Sequence, residues 1–241
     1  LLRTQANESH RLAHSDQLTG LANRHVLMLS CEQALRQSHS GEGWLPVSLF
    51  LLDLDDFKSV NDSFGHLTGD LLLKEVASRL SGALALLLTD QEALLARLGG
   101  DEFAVLIYRP HALELLEDLA HALAASLRPI RVGENLRIDQ RVSIGVACWK
   151  RPGCSAETLL LEADVALYEA KADGGGVMRI YEEAMGAKVA RRAAFSKEIG
   201  QLLAHNGYDG FEAGQAGELI MHYQPQIDLR SGEMIGAEAL I

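Results

Sequence analysis

Two short apolar runs joined by glycines constrain the fold of this chain more than any other feature. Residues 93–98 and 103–108 are mostly apolar. Four residues connect them: Gly99, Gly100, Asp101 and Glu102. This pattern predicts a β-hairpin, because glycine adopts the positive φ angles that tight turns need. The adjacent carboxylates at the tip repel each other, which is reasonable if a divalent cation binds between them and a substrate.

Composition and charge limit the possible classes of protein. The 241 residues, 48% of them hydrophobic and 23% charged, suit a soluble globular chain with a sizeable core. The formal net charge of -11 argues against nucleic-acid binding, which requires a basic face, but not against a nucleotide. A metal ion and a few lysines would neutralise its phosphates locally.

The cysteines and the absence of long apolar runs favour a cytoplasmic location. Cys31, Cys148 and Cys154 form no CxxC pattern, which argues against a disulfide framework or a zinc site. No signal peptide and no apolar run near 18 residues occur. Because the chain begins at Leu1 without methionine, we expect a fragment of a longer protein that could carry an upstream sensory module or membrane anchor.

Apolar periodicity predicts a mixed α/β domain over residues 17–183. Residues 47–53 form a nearly continuous apolar run that ends in acids, typical of a buried central strand. A helix after it would bury one apolar stripe: Leu67, Leu71, Val76 and Leu80. Further helices are predicted at 23–35, 111–127 and 155–172, and further strands at 93–98, 103–108, 136–149 and 177–181.

Changes in composition divide the chain into four segments. Residues 1–15 would be an upstream helix or linker, followed by the α/β domain at 16–183. Residues 184–217 are a basic, alanine-rich helix and a glycine-rich loop. Residues 218–241 alternate like a strand and stop inside an apolar run, which predicts the beginning of a second, truncated domain.

A second acidic cluster follows the central strand, at residues 53–58. Its sequence is Asp-Leu-Asp-Asp-Phe-Lys, so Asp53 ends the strand near the acids of the hairpin. Such an oxygen-rich site is of the kind that Mg²⁺ and Mn²⁺ prefer, usually with substrate phosphates completing the coordination shell. Lys58 follows within one turn and could contact a phosphate.

Polar residues after Lys58 have the chemistry to recognise guanine. An aspartate such as Asp70 can accept from N1–H and N2–H, and the amide of Asn61 can donate to O6 or N7. Gly65 and Gly69 let the backbone approach a flat ligand.

Each of these features has an ordinary explanation when it stands alone. A lone acidic turn is most often a solvated cap, and a lone diglycine hairpin is only a hairpin. A single histidine such as His66 is more often a structural donor than a catalyst. Their joint occurrence in one short domain favours a binding site, because independent solvated turns would not assemble this set.

The chain resembles the GGDEF family of diguanylate cyclases. Six stretches carry the resemblance in order: DQLTGLANR (16–24), DLDDFKSVND (53–62), GHLTGD (65–70), RLGGDEF (97–103), SIGVA (143–147) and ADVALYEAK (163–171). The resemblance implies a nucleotidyl-cyclase or palm-like fold, α/β with a central mixed, mainly antiparallel sheet flanked by helices. It also implies condensation of two GTP molecules to cyclic di-GMP with release of pyrophosphate, across a homodimer of two facing domains.

Site residues follow from the same resemblance. Asp53 and Asp101 or Glu102 would hold Mg²⁺ or Mn²⁺, assisted by the Leu54 carbonyl. Glu102 is also the candidate for deprotonating the attacking 3′-hydroxyl, and the sequence does not separate its two roles. Gly99 and Gly100 would let the nucleotide lie against the hairpin. The implied GTP-binding residues are Phe57, Lys58, Asn61, His66, Asp70 and Lys171.

Two departures from the family pattern bear on function. The family places an arginine, a presumed phosphate ligand, where this chain has Gly175 within a triple glycine. Its loss would weaken binding by about 1.5–3 kcal/mol, although the glycines could equally be only a helix stop. The inhibitory Arg-x-x-Asp site for the product corresponds to residues 90–93, which hold neither the arginine nor the final aspartate. We therefore expect no product inhibition there.

The tail resembles the beginning of an EAL domain, the family that hydrolyses cyclic di-GMP. MHYQPQIDL (221–229) and GAEAL (236–240) carry this resemblance, which implies that Glu238 is one metal ligand. Two functions follow: an active diguanylate cyclase, or a GTP-binding regulatory module that controls a C-terminal EAL phosphodiesterase. A dimerisation scaffold without nucleotide is a weaker third, because the acidic set is complete.

Overall fold

A fully buried strand, β1 (Ser48–Leu54), lies in the middle of a five-stranded sheet. Phe50 and Leu52 pack into the hydrophobic core on one face of this sheet, while Leu49 and Leu51 pack into the core on the other. Both faces are covered, so residues 49–52 are all apolar rather than alternating with polar residues. The prediction of a buried central strand is confirmed.

The next strands along the chain are β2 (Ala93–Gly99), β3 (Glu102–Ile107), β4 (Ile130–Val132), β5 (Leu136–Ile138), β6 (Val142–Cys148) and β7 (Met178–Ile180). The five-stranded sheet has the strand order β2-β3-β1-β6-β7 and is antiparallel except for the parallel pair of β6 and β7. A separate antiparallel pair is formed by β4 and β5.

Helices cover both faces of the sheet. The described helices are α1 (Arg24–Ser38), α2 (Phe57–Phe64), α3 (His66–Leu87), α4 (Leu113–Ser126), α5 (Ala156–Ala172) and α6 (Glu183–His205). Leu72 of α3 and Leu116 of α4 belong to the core on one face, and Leu27 of α1 and Leu159 of α5 belong to the core on the other. The protein therefore has the expected mixed α/β fold, with a mainly antiparallel central sheet flanked by helices.

This computed structural model describes residues 14–38, 46–88, 93–108, 113–133, 136–149, 154–205, 222–228, 230 and 234–240. The chain divides into two units, Leu1–Ala190 and Arg191–Ile241. In the second unit, β8 (His222–Ile227) and β9 (Met234–Leu240) form an antiparallel pair that places Glu238 opposite Gln224. The predicted upstream helix and the glycine-rich loop lie mostly outside the described residues.

Two sequence-based expectations are wrong in detail. The long strand expected at 136–149 is divided between β5 and β6, which belong to different sheets, because the polar residues 139–141 separate them. Leu67 and Leu71, expected in the core, are 82% and 50% exposed. The first turn of α3 does not face the sheet, and the buried stripe is Leu72, Leu73, Val76, Ala77, Leu80 and Leu84.

Gly145 of β6 permits the closest helix–sheet contact in the site region. A Cβ atom at this position would overlap Ala163 O and the backbone nitrogen of Leu167, and would lie 2.7 Å from Leu167 Cα. We predict that Gly145→Ala lowers the free energy of unfolding by about 3 kcal/mol, since backbone atoms cannot yield as side chains do.

Chemical denaturation measures this change, and Gly82→Ala is the matched control. Nothing lies within 4 Å of a Cβ at Gly82 in α3, so that variant should gain about 0.5–1 kcal/mol from helix propensity. Wild-type stability in Gly145→Ala would show that α5 is not packed as described.

Candidate functional site

The β2–β3 hairpin carries its two acids at the tip, as predicted. Gly99 and Gly100 have φ angles of 140° and 54°, a conformation that favours glycine. The register pairs Gly99 with Glu102, with a shift between Arg97 and Gly99. No Cβ at either glycine would meet a described atom within 4 Å, so the tip is open to a ligand.

The sheet brings the second acidic cluster against this tip. In the β1–β3 register Asp53 lies opposite Glu102, and on the other side of β1 it lies opposite Ser143 of β6. The amide of Leu54 donates to Asp101 O over 3.4 Å. Acids from two distant parts of the sequence therefore meet at one end of the sheet.

Carboxylates in this cluster interact unfavourably with one another. Burial raises the pKa of Asp53, which is only 7% exposed, and the charge of Asp101 raises it further, against the opposing hydrogen bond from Lys171. Partial burial and the charges of Asp53 and Asp101 likewise raise the pKa of Glu102. Lys171 Nζ lies 2.7 Å from Asp53 Oδ2 and is the cation that compensates this crowding.

The oxygen donors at this end of the sheet fit a hard divalent cation. Asp55 Oδ1 accepts a hydrogen bond from Ser143 Oγ at 2.6 Å, while Asp55 Oδ2 is buried and has no partner among the described residues. Within the described ranges, no three acidic, histidine or cysteine side chains converge into a complete metal cluster. Substrate phosphates and water would have to complete the coordination shell, as is usual for Mg²⁺.

A cleft of about 540 Å³ opens beside these acids. Its lining combines both acidic clusters with three basic side chains. The lining residues are Asp53, Leu54, Asp55, Asp56, Phe57, Lys58, Asp101, Arg141, Lys171, Gly174 and Gly175. Glu102 instead lines an adjoining cleft of about 420 Å³ with Arg24 and Asp164, so it borders a second space beside the hairpin.

The N-terminus of α2 lies at this cleft, because Asp56, Phe57 and Lys58 line it. Asp56 bends the chain between β1 and α2 in a left-handed conformation, with φ 58°, and its side chain does not cap the helix. The first amides of α2 thus have no side-chain cap, and such amides bind anions well. Phe57 is buried beneath the turn, and Lys58 is exposed beside it.

The residues expected to bind guanine lie around the α2–α3 turn rather than in the cleft lining. Gly65, with φ 83°, separates the two helices. The Asn61 side chain packs over Gly69, where any Cβ would overlap Asn61 Oδ1. Asp70 is the next residue and is partly exposed, and His66 is exposed in the first turn of α3.

Residues 140–143 form one wall of the cleft, and the sequence analysis did not predict that they belong to the site. Gln140 Nε2 donates to Asp55 O at 2.8 Å, Ser143 Oγ accepts from Gly176 N at 3.1 Å, and Arg141 lines the cleft. The available signal was the polar sequence Asp-Gln-Arg at 139–141, which interrupts an apolar pattern.

A buried ion pair holds the base of the hairpin. Arg97 donates to both Asp16 carboxylate oxygens, at 2.9 and 3.0 Å, and to Gly100 O at 2.6 Å. Burial by itself raises the pKa of Asp16, but hydrogen bonds from Thr19 and Arg97 outweigh it, so that pKa lies below its ordinary value. The charged carboxylate therefore stabilises the fold.

We predict that Asp16→Asn lowers the free energy of unfolding by about 3 kcal/mol near neutral pH. Arg97 is only 9% exposed and would lose its carboxylate partner. Because the folded-state pKa is depressed, this stabilisation is complete above the ordinary aspartate pKa of about 3.9 and disappears as pH falls through the folded value. Denaturation of both proteins from about pH 7 to about pH 3 measures the difference, which a pH-independent loss would contradict.

The segment that corresponds to the product-inhibition site lies mostly outside the described residues, since residues 90–92 are not described.

Among the described helices, none combines the length and apolar character that crossing a membrane would require.

Two relatives are similar over nearly the whole chain. An uncharacterized signaling protein of Caulobacter vibrioides is 38% identical over 99% of this chain. MucR of Pseudomonas aeruginosa, a bifunctional diguanylate cyclase/cyclic di-GMP phosphodiesterase, is 34% identical over 96% of it. This chain spans only 28% and 31% of their lengths.

Solved structures match the first unit. The GGDEF domain of TpbB (YfiN) from Pseudomonas aeruginosa is 32% identical, with a TM-score of 0.67 over 73% of this chain and 99% of that one. DgcB from Caulobacter crescentus, solved as coiled coil and GGDEF domain in complex with c-di-GMP, is 30% identical, with a TM-score of 0.64 over 75% and 91%.

The family described as "Diguanylate cyclase, GGDEF domain" matches residues 13–176, which include both acidic clusters, the hairpin and Lys171. This match covers more than half of the chain and agrees with the fold of the solved relatives. The chain therefore belongs to the GGDEF family of diguanylate cyclase domains.

Proposed function

We propose that this domain is an active diguanylate cyclase that condenses two GTP molecules into cyclic di-GMP. In each half-reaction the 3′-oxygen of one nucleotide forms a bond to the α-phosphorus of the other, pyrophosphate leaves, and the hydroxyl proton is released. The observation that carries the proposal is the opposition of Asp53 and Glu102 across β1 and β3 at an open glycine tip.

Four residues of the two acidic clusters would hold Mg²⁺ or Mn²⁺: Asp53, Asp101, Glu102 and the carbonyl of Leu54. When bound, the cation would neutralise phosphate charge and lower the pKa of the attacking hydroxyl. Glu102 would accept the proton of this hydroxyl, since its raised pKa suits a general base better than that of an ordinary glutamate. Lys171 would move from Asp53 to a phosphate once a cation compensates that carboxylate.

The nucleotide would be held from both ends. Lys58, Lys171 and the uncapped amides at the start of α2, near Phe57, would bind the phosphates. Asn61 and Asp70 would recognise the guanine edge, and His66 would lie at the rim. Gly99 and Gly100 would leave room for the ribose and the α-phosphate.

Catalysis would require two copies of the domain. One cleft holds one nucleotide, and the reaction joins two, so two sites have to face each other in a homodimer. We further propose that the domain works in the cytoplasm, where GTP is available, under control of an upstream sensory module.

A second candidate is a GTP-binding regulatory domain with weak turnover that controls a C-terminal EAL phosphodiesterase. The absence of a cation at 174–176 favours it, as does the EAL-like sequence of β8 and β9. MucR, whose name joins both activities, is similar over 96% of the length of this chain.

Incubation of the 241-residue chain with GTP and Mg²⁺, followed by chromatography, distinguishes the two candidates. An active cyclase yields cyclic di-GMP and two equivalents of pyrophosphate. Bound GTP that is recovered unchanged would reject the enzyme and support the regulatory domain. Loss of both binding and product would reject both.

A further inference from the structure

An arginine that belongs to neither acidic cluster lines the same cleft as the acids. Arg141 precedes β6 and lines the cleft together with Lys58 and Lys171. Its side chain is exposed. The other charged lining residues are all acidic, so these three basic side chains are the cations that this cleft offers to an anionic ligand.

Contacts with the turn after α5 fix the position of the guanidinium. Arg141 Nη2 donates to Gly174 O at 2.8 Å and to Gly175 O at 2.7 Å. A Cβ at Gly176 would lie 2.7 Å from Arg141 Nε, so glycine at this position leaves the space that the guanidinium occupies.

The turn at residues 174–176 leaves little room for a basic side chain at position 175. Gly175 has φ 71°, and a Cβ there would lie 2.9 Å from Asp55 Oδ1. A side chain at 175 would therefore need both a strained backbone and displacement of Asp55. Arg141 brings a positive charge to this wall from another element, without either requirement.

The guanidinium retains hydrogen-bonding capacity for a ligand. Nη2 donates to two carbonyls, and Nη1 has no hydrogen-bond partner among the described residues, so its two N–H bonds can donate to a ligand. A guanidinium forms charge-assisted hydrogen bonds with phosphate oxygens and remains charged at every relevant pH.

We propose that Arg141 binds the polyphosphate of the nucleotide in this cleft and is a substrate-affinity residue of the domain. The inference rests on the proposed function, in that it requires the cleft to hold a nucleoside triphosphate. The main argument for weak GTP binding is that Gly175 replaces the arginine of the family pattern. A positive charge from Arg141 at the same wall of the cleft removes that argument.

The test compares Arg141→Gln with Arg131→Gln in the 241-residue chain. Glutamine keeps a donor for the glycine carbonyls but removes the charge. Arg131 is exposed on β4 and does not line the cleft. Titration calorimetry with Mg²⁺ and GTP, and separately with guanosine, measures affinity, and thermal melting reports the integrity of the turn.

We expect Arg141→Gln to weaken GTP binding about 10- to 100-fold, with guanosine affinity and melting temperature unchanged. Arg141→Lys should fall between it and wild type, and Arg131→Gln should match wild type. Equal loss of GTP and guanosine affinity, a lower melting temperature with unchanged affinity, or no effect would overturn the role of Arg141 while leaving the proposed function intact. Failure of the wild-type protein to bind GTP would overturn both.

Discussion

Glu102→Gln is expected to lower the rate of cyclic di-GMP formation about a thousandfold. Glutamine has nearly the same shape but cannot accept the hydroxyl proton, and it offers a cation one neutral oxygen instead of a carboxylate. We expect the main loss in turnover, because the proton acceptor is gone while Lys58 and Lys171 still line the cleft for the phosphates. Steady-state kinetics with product quantified by chromatography measures both parameters.

The same variant should remain folded, which separates catalysis from stability. Desolvation and the charges of Asp53 and Asp101 raise the pKa of Glu102, so removing the charge of this side chain relieves repulsion. We expect an unchanged or slightly higher melting temperature. Glu117→Gln, at an exposed position on α4, is the matched control and should keep full activity. A Glu102→Gln protein that still makes product at the wild-type rate would show that this carboxylate is not catalytic.

Asp70→Asn is expected to weaken GTP binding about a hundredfold, or by about 3 kcal/mol. A carboxylate at this position can accept hydrogen bonds from guanine N1–H and N2–H together. Asparagine offers one acceptor and sets its amide donors against the other N–H. Asn61, the other residue proposed to recognise the base, packs over Gly69 and should stay in place, so the loss should be confined to Asp70.

Base selectivity distinguishes this role from a general loss of affinity. Inosine triphosphate lacks the 2-amino group, so the wild-type protein should prefer GTP over it by about tenfold, and Asp70→Asn should reduce this preference. Asp62→Asn, at an exposed site on α2, serves as the control. An unchanged GTP-to-ITP ratio in Asp70→Asn would place the guanine elsewhere.

The sequence predicted those elements that are determined by residues close together in the chain. The absence of a Cβ permits the positive φ angles of Gly99 and Gly100, and the apolar run at residues 49–52 accounts for the burial of β1. The opposition of Asp53 and Glu102 depends on which strands pair and in what register. The residue pattern led us to expect the two acidic clusters at one site, but it did not give the strand pairing or the register that places them opposite each other.

Contacts between distant segments were beyond sequence reasoning. Arg141 meets the turn at Gly174 and Gly175 only because β6 pairs with β1 and α5 returns the chain to the same end of the sheet. Leu67 and Leu71 suit a helical stripe as well as Leu72 does, and the position of α3 on the sheet decides which are buried. Apolar periodicity does not contain this information.

The most direct test of the account is the initial rate of cyclic di-GMP formation from GTP and Mg²⁺ as a function of protein concentration. The proposed reaction requires two facing domains, so the proposal predicts that the rate per protein molecule rises with concentration and then levels off. Mixing in excess Glu102→Gln protein should lower the rate, because mixed dimers lack one complete site. GTP binding without product at every concentration would contradict the proposal that this domain is an active diguanylate cyclase.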